Sequence, residues 1–339
     1  MPMPDQAEFI DTLVKRAKQQ PLSLALPEGH ETRVLQAAHF LLQEEVIEKV
    51  YLGNSEKAGL KLAHEHEIPL EKQNHKIVWM ESQHDEFSAL TKSAIQSYWD
   101  KKGKPNNEAL LEEWSDSYLY QAAQLVGSGK VASGVAGCYF TTADVIKAGL
   151  SLIGLSEGIK TISGSMMMVP GANAKPLLFA DCGVVIKPTT QQVSEIACST
   201  LRTWQKLCPD QNPAVAFLSF STKGSAVHED SQKMADAWQL FKELEPSVIS
   251  EGEVQFDAAF SEEVGQRKIP GSQLPGKANI FIFPDLGAGN ITYKMVQRLG
   301  GYQAFGPILQ GMKKPWSDLS RGANWQDIAY VCLINILCA

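Results

Sequence analysis

LSLALPEGHETRVLQAAHFLLQEEVIEKVYLGN, residues 22–54, decides the architecture. A short apolar run (LSLAL) ends at Pro27-Glu28, a dozen residues of helical spacing follow (VLQAAHFLLQEE), and a second short apolar run closes the stretch (KVYLGN). A run of that length suits a strand buried on both faces, whereas the longer segment between has the period of a helix. Strand, helix and strand in succession make a βαβ unit, whose strands lie parallel in one sheet.

The same alternation continues outward. IVWM at 77–80 reads as a further strand, and residues 85–125 are richer in helical periodicity, broken by an exposed turn at Lys101-Lys102-Gly103-Lys104-Pro105-Asn106-Asn107. A strand-like VASGVAG follows, then a helix from Thr142 to Leu152. GSMMMVPGANAKPLLFADCGVVI places two apolar runs around a Pro/Gly/Asn turn, a hairpin signal that opens a second domain. Then come a helix from Gln191 to Leu207, strand AVAFLSF, a helix over 229–243, strand NIFIFPD and a helix after Asn290. Before the first strand, Phe9, Ile10, Leu13, Val14 and Ala17 have the spacing of an amphipathic helix.

At 339 residues the chain fits two domains of ordinary size. Its 44% hydrophobic and 20% charged residues are those of a globular protein. A net charge of −7 disfavours nucleic acid or an anionic membrane as partner, but local cations can still hold a small anionic substrate. The six cysteines show no CxxC spacing and read as free thiols of a reducing cytoplasm. The N-terminal stretch lacks the apolar core of a signal peptide, and no apolar run reaches the ~18 residues of a membrane span.

LQGMKKPWSDLSRGANWQD, residues 309–327, concentrates the chemistry. Ser320 and Asp318 are good N-cap residues ahead of an apolar helix from Trp325 to Leu337. A hydroxyl, the Arg321 guanidinium and a helix N-terminus together suit an anion, with Asp327 facing it from the first turns. A capped helix bearing a surface Arg explains the same residues without any ligand. Thr141-Thr142-Ala143-Asp144 lies between strand and helix, so its hydroxyls and N–H groups either hold phosphate oxygens or simply cap the helix. Ser221 and Lys223 belong to a donor-rich loop after a strand, and Asn290, read as an N-cap, points its amide toward a cleft anion. Gly127-Ser128-Gly129-Lys130-Val131-Ala132 imitates a nucleotide loop, but it runs from helix to strand, the reverse of what such a loop needs. His64-Glu65-His66 is too local for a metal site. Cys138 and Cys182 show no neighbouring base and no Gly-x-Ser-x-Gly elbow exists, so no covalent acyl-enzyme is expected.

The ordered blocks resemble the phosphate acetyltransferase (phosphotransacetylase) family of the phosphate acetyl/butyryl transferases. They include Leu26-Pro27-Glu28 with Thr32-Arg33-Val34-Leu35, then Thr141 to Asp144, Phe179-Ala180-Asp181-Cys182 and Leu218 to Ser225. Glu251 to Ala259, Phe283-Pro284-Asp285-Leu286, Ala288 to Ile291, Tyr293-Lys294, Gly306-Pro307 and Asp318 to Gly322 follow in the family's order. The resemblance implies two three-layer α/β/α domains with mainly parallel sheets, isocitrate/isopropylmalate dehydrogenase-like, with the active site in the interdomain cleft and a homodimer. It places residues 1–153 plus 310–339 in the first domain and 154–309 in the second.

By that resemblance the chain is a cytoplasmic enzyme that reversibly transfers acetyl between coenzyme A and inorganic phosphate, with no cofactor beyond its substrates. Asp327 would be general base on the thiol, which then attacks the acetyl carbonyl in a ternary complex. Arg321 would clamp the phosphoryl group, and Ser320 would donate to the developing oxyanion. Lys147 stands where the family typically carries an Arg contacting coenzyme A, and Trp99-Asp100, just upstream of Lys101-Lys102-Gly103, where it tends to have an Arg. Lysine keeps the charge but loses the bidentate fork. These departures keep open a catalytically weak acetyl-CoA-sensing homologue, a role such domains play fused to malic enzymes. A transferase for a butyryl or propionyl chain is a further alternative. A dehydrogenase on a similar fold would need a dinucleotide loop and metal carboxylates.

Overall fold

The structure, a computed structural model, describes residues 6–171 and 175–339. The chain divides into two compact units, one formed by residues 10–157 with 312–339 and the other by 1–9 with 158–311. The resemblance places the helix over Phe9 to Ala17 in the same domain as strand Leu22–Leu26. Helix Gln6–Ala17 instead begins in the other unit, where the Gln6 amide donates to the Val169 and Gly301 carbonyls.

The unit holding residues 10–157 and 312–339 is built on a five-stranded, wholly parallel sheet. Its strands lie in the order Trp316–Ser317, Ser133–Val135, Leu22–Leu26, Ile47–Leu52 and Ile77–Trp79. The 22–54 stretch forms the expected βαβ unit. Its helix, Thr32–Gln43, buries Val34, Leu35, Ala37, Ala38, Leu41 and Leu42. Gly53 is required where the second strand ends, because a Cβ there would lie 2.0 Å from the Pro27 carbonyl oxygen. VASGVAG yields only the three-residue strand Ser133–Val135. The preceding helix ends at Ser128 on a left-handed Gly129, so the false nucleotide loop runs helix to strand as read.

The last helix, Trp325–Cys338, packs into the same core and is pinned by a polar residue. Asn335, 1% exposed, accepts from the Ser317 hydroxyl at 2.7 Å and donates to the Gly134 carbonyl at 2.9 Å. Those bonds fasten the helix that carries Asp327 to two adjacent strands.

The other unit has a six-stranded mixed sheet in the order Gln303–Gln310, Ser163–Val169, Leu177–Ala180, Ile280–Ile282, Ala214–Leu218 and Ile249–Val254. Ser163–Val169 and Leu177–Ala180 pair antiparallel, which is the hairpin, although Ala172 to Ala174 of its turn lie outside the described residues. The four strands from Leu177–Ala180 onward are parallel. Phe179, Phe281 and Phe283 pack edge to face in its core.

Removing a buried partner strands polar groups that water cannot reach. Asn335→Ala, which orphans the Ser317 hydroxyl and removes a bond to the Gly134 carbonyl, should lower unfolding stability by about 1–3 kcal/mol, measured by urea denaturation.

Candidate active site

In the parallel sheet, strands Trp316–Ser317, Ser133–Val135 and Leu22–Leu26 are neighbours, so the loops leaving their carboxyl ends lie side by side. That edge is where open α/β sheets bind ligands. The three loops are tied together by charged side chains.

Glu28, 1% exposed, is the first tie. Its carboxylate accepts from the backbone N–H groups of Gly137, Cys138, Tyr139 and Phe140 at 2.8–3.2 Å, and from the Cys138 thiol at 2.9 Å. Cys138 therefore has a neighbouring carboxylate, contrary to the sequence reading. Burial and the Glu28 charge hold its thiol far above the usual thiol range, so the pair keeps the proton rather than activating a nucleophile. Burial does the same to Cys182.

Asp318, 2% exposed, is the second tie and not a helix cap. Its Oδ2 accepts from the Thr142 hydroxyl at 2.6 Å. Gly137, at φ +112°, leaves room for it, since a Cβ there would sit 2.2 Å from Asp318 Oδ1. Burial pushes this carboxyl up to about 6, partly offset by the Thr142 bond and the Leu319 N–H.

The helix beginning at Trp325 is capped by Asn324 rather than by Ser320 or Asp318. Asn324 and Asp327 form a reciprocal capping box, the Asn324 side chain accepting from the Asp327 N–H at 2.9 Å and Asp327 Oδ2 from the Asn324 N–H at 3.0 Å. Asn324 wins because it stands three residues before an acidic residue, as a capping box requires, whereas Ser320 lies a further turn upstream. Ser320 is exposed and accepts from the Gly322 N–H. The Arg321 guanidinium is exposed and has no acceptor among the described residues. Asp327 makes no ion pair with it, so the carboxylate is oriented by the helix start and not by the arginine.

Thr141 caps helix Thr142–Leu152, accepting from the Asp144 N–H and donating to Asp144 Oδ2 at 2.7 Å. Both threonine hydroxyl protons are thus committed within the protein. Lys147, exposed, lies 3.7 Å from Asp144 and 5.8 Å from the Trp114 ring centroid. Trp99 is buried against Trp114, which stacks on Tyr120. Lys101 and Lys102, just beyond, line a pocket of about 450 Å³ with Tyr98 and Lys313.

Three expected site residues belong to the other unit, and there the structure occupies them differently. Ser221 is fully buried, donating to Glu253 Oε1 at 2.8 Å and accepting from the Ala226 N–H. Lys223 reaches Glu251 at 2.6 Å and the Gly252 carbonyl at 3.1 Å, over the Trp238 ring. Asn290 is no N-cap: helix Leu286–Leu299 is capped by Asp285, and Asn290 donates from within the helix to the Cys182 carbonyl at 3.2 Å. Gly289 permits that early start by fitting against the Asp181 carbonyl.

The sequence matches the family described as phosphate acetyl/butaryl transferase over residues 8–336. The chain belongs to that family. It is 36% identical to the phosphate acetyltransferase of Bacillus subtilis over 333 residues, covering 97% of this chain and 98% of that protein. A solved phosphotransacetylase from Streptococcus pyogenes superposes with a TM-score of 0.87 at 32% identity, covering 98% of each chain. A putative 4-hydroxythreonine-4-phosphate dehydrogenase from Salmonella typhimurium, 9% identical, shares the fold at a TM-score of 0.52 over 94% of this chain. The two-domain α/β fold of the family is therefore of the isocitrate/isopropylmalate dehydrogenase type.

Sequence reasoning treated Glu28 and Arg33 only as parts of a resembling block. For Glu28 the available signal was a charged residue two positions after a buried strand; for Arg33, whose partners lie far along the chain, the sequence held none.

A carboxyl raised by burial stabilises the fold fully below its ordinary pKa near 4, and that contribution is lost as pH rises through about 6. The stability of the wild type relative to Asp318→Asn should therefore rise as pH falls from about 7 to about 4. Paired urea unfolding curves across that range measure it, and parallel curves would show that Asp318 does not titrate as its burial requires.

Proposed function

We propose that this protein is a phosphate acetyltransferase, reversibly moving an acetyl group between coenzyme A and inorganic phosphate. The observation that carries the reading is the Arg321 guanidinium. It is left without a protein acceptor beside the Ser320 hydroxyl and ahead of Asp327, on a loop whose backbone is tied down. A planar fork with free donors suits a phosphate or acyl phosphate. The near full-length likeness to proteins named phosphate acetyltransferase supports the same chemistry.

In the direction of acetyl-CoA formation, acetyl phosphate and coenzyme A bind together. Asp327 accepts the thiol proton; its Oδ2 is held by the Asn324 N–H, which leaves Oδ1 for that task. The sulfur attacks the acetyl carbonyl, and collapse of the tetrahedral species forms the thioester as the bond to the phosphate oxygen breaks. Arg321 neutralises the departing phosphate, while Ser320 donates to the oxyanion, a contact worth on the order of 3 kcal/mol in comparable sites. The reaction balances with the two substrates alone, and the proposed mechanism uses no further cofactor. Thr141 and Thr142 act through the backbone of the helix start they shape, because their hydroxyl protons are already used. Ser221, Lys223 and Asn290 are assigned structural roles. We place the enzyme in the cytoplasm and expect it to act as a homodimer.

Phosphate-dependent release of free thiol from acetyl-CoA by the purified protein tests the activity directly. Asp327→Asn should lower turnover about 10²–10⁴-fold with little change in either Michaelis constant. Arg321→Lys should raise the acetyl phosphate constant as turnover falls, since the fork contacts phosphate in ground and transition states alike. Near wild-type turnover in Asp327→Asn would remove the base from the mechanism.

Lys147 presents a point charge shared with Asp144 where the resemblance expects an arginine. Lys147→Arg should lower the coenzyme A Michaelis constant with turnover nearly unchanged, in initial-rate measurements with coenzyme A varied. A large rise in turnover at constant KM would assign the position to chemistry instead.

A further inference from the structure

Arg33 occupies the first turn of helix Thr32–Gln43, below the loop that bears Arg321. A guanidinium has five N–H donors in a fixed plane, and each of those of Arg33 has an acceptor within its own unit. Nε and Nη2 donate to Glu31 Oε2 at 3.2 and 2.7 Å. Nη1 donates to the Arg321 carbonyl at 2.9 Å and the Ala323 carbonyl at 2.8 Å, and Nη2 also reaches the Cys138 carbonyl at 3.3 Å. The two arginines are thus opposites: Arg321 keeps its donors free, whereas Arg33 spends all of its own on the protein.

We propose that Arg33 is a positioning residue for the acetyl-transfer reaction, holding the backbone of Arg321 and Ala323 so that the Arg321 fork is aimed before phosphate arrives. This rests on the phosphate-clamp role given to Arg321 above. Segment Ser320 to Asn324 lies outside regular structure and is exposed except for Ala323. Its described bonds besides Arg33 are few: Gly322 N–H to Ser320, Ala323 N–H to Ser320, and the Asn324 capping box at its far end. Without an anchor the carbonyl of Arg321 would be free to turn, and the side chain would turn with it. Glu31 supplies the negative partner that fixes the guanidinium plane, and its bond to Arg33 holds the arginine charged. The Cys138 contact couples this anchor to the loop that Glu28 gathers. Lysine cannot substitute, because three donors on one nitrogen cannot span carbonyls on two loops and a carboxylate together.

The test is steady-state kinetics of the full chain with acetyl phosphate and coenzyme A each varied, for Arg33→Lys, Arg321→Lys and the double variant, with Tm recorded for each. Arg33→Lys should lower turnover on the order of 10- to 100-fold and raise the acetyl phosphate KM, leaving the coenzyme A KM unchanged. The double variant should be little worse than Arg321→Lys alone, because a mispositioned fork and a missing fork lose the same interaction. Glu31→Gln, which keeps an acceptor but loses the charge, should shift the same KM in the same direction by less, and it serves if Arg33→Lys does not fold. Wild-type kinetics in these variants at unchanged Tm would overturn the proposal, as would additive losses in the double variant or equal changes in both Michaelis constants. A wild type that releases no thiol from acetyl-CoA with phosphate would instead overturn the functional reading beneath it.

Discussion

One buried carboxylate organises the carboxyl edge of the parallel sheet. Glu28 leaves the end of a strand with no water to solvate it, and four successive backbone N–H groups turn inward to meet it. A buried charge is tolerated only when such donors surround it. The requirement runs both ways, since the Gly137 to Phe140 segment has no strand or helix partners for those N–H groups. The chain therefore reaches Thr141 in a conformation set by Glu28. Thr142 then lies where it can donate to Asp318, and Cys138 where its carbonyl accepts from Arg33.

The other unit repeats the device. Asp181, 2% exposed, accepts from the backbone N–H groups of Gly164, Gly183, Val184 and Val185 just after its strand. Glu253, 5% exposed, accepts from the Ser221 hydroxyl and the Gly224 N–H. Both acids belong to blocks that resemble the family. Several of these blocks thus specify how loops leave parallel strands. That is the physical reason Ser221 and Lys223, polar residues in a resembling block beyond a strand, are occupied by Glu253, Glu251 and Trp238.

The contrast between Arg33 and Arg321 separates a guanidinium bonded into the protein from one left open at the surface. A guanidinium whose donors are all satisfied rigidifies, whereas one left unsatisfied at the surface is available to an anion. Neither state is visible in composition, since Arg33 in the first turn of one helix and Arg321 ahead of another both lie in short polar stretches. The pairing that separates them spans almost 300 positions of sequence and depends on strands Trp316–Ser317 and Leu22–Leu26 flanking Ser133–Val135 in one sheet.

The sequence by itself determined the elements and their order. Residues 22–54 fold as strand, helix and strand, the Met-rich run and the run Leu177–Ala180 pair as a hairpin, and the helices begin and end close to where periodicity places them. Period and length are local properties, so a single chain carries them openly. It also supplied Ser320, Arg321 and Asp327 as a candidate set, because they are close neighbours in one segment. Caps were less legible: Asn324 and Asp285 start helices assigned to Ser320 and Asn290, since several good capping residues competed within a few positions. The burial of Glu28, Asp318 and Ser221, and the commitment of all five Arg33 donors, came from the tertiary structure alone. Those facts follow from which strands become neighbours, a long-range property with no period for a sequence to display.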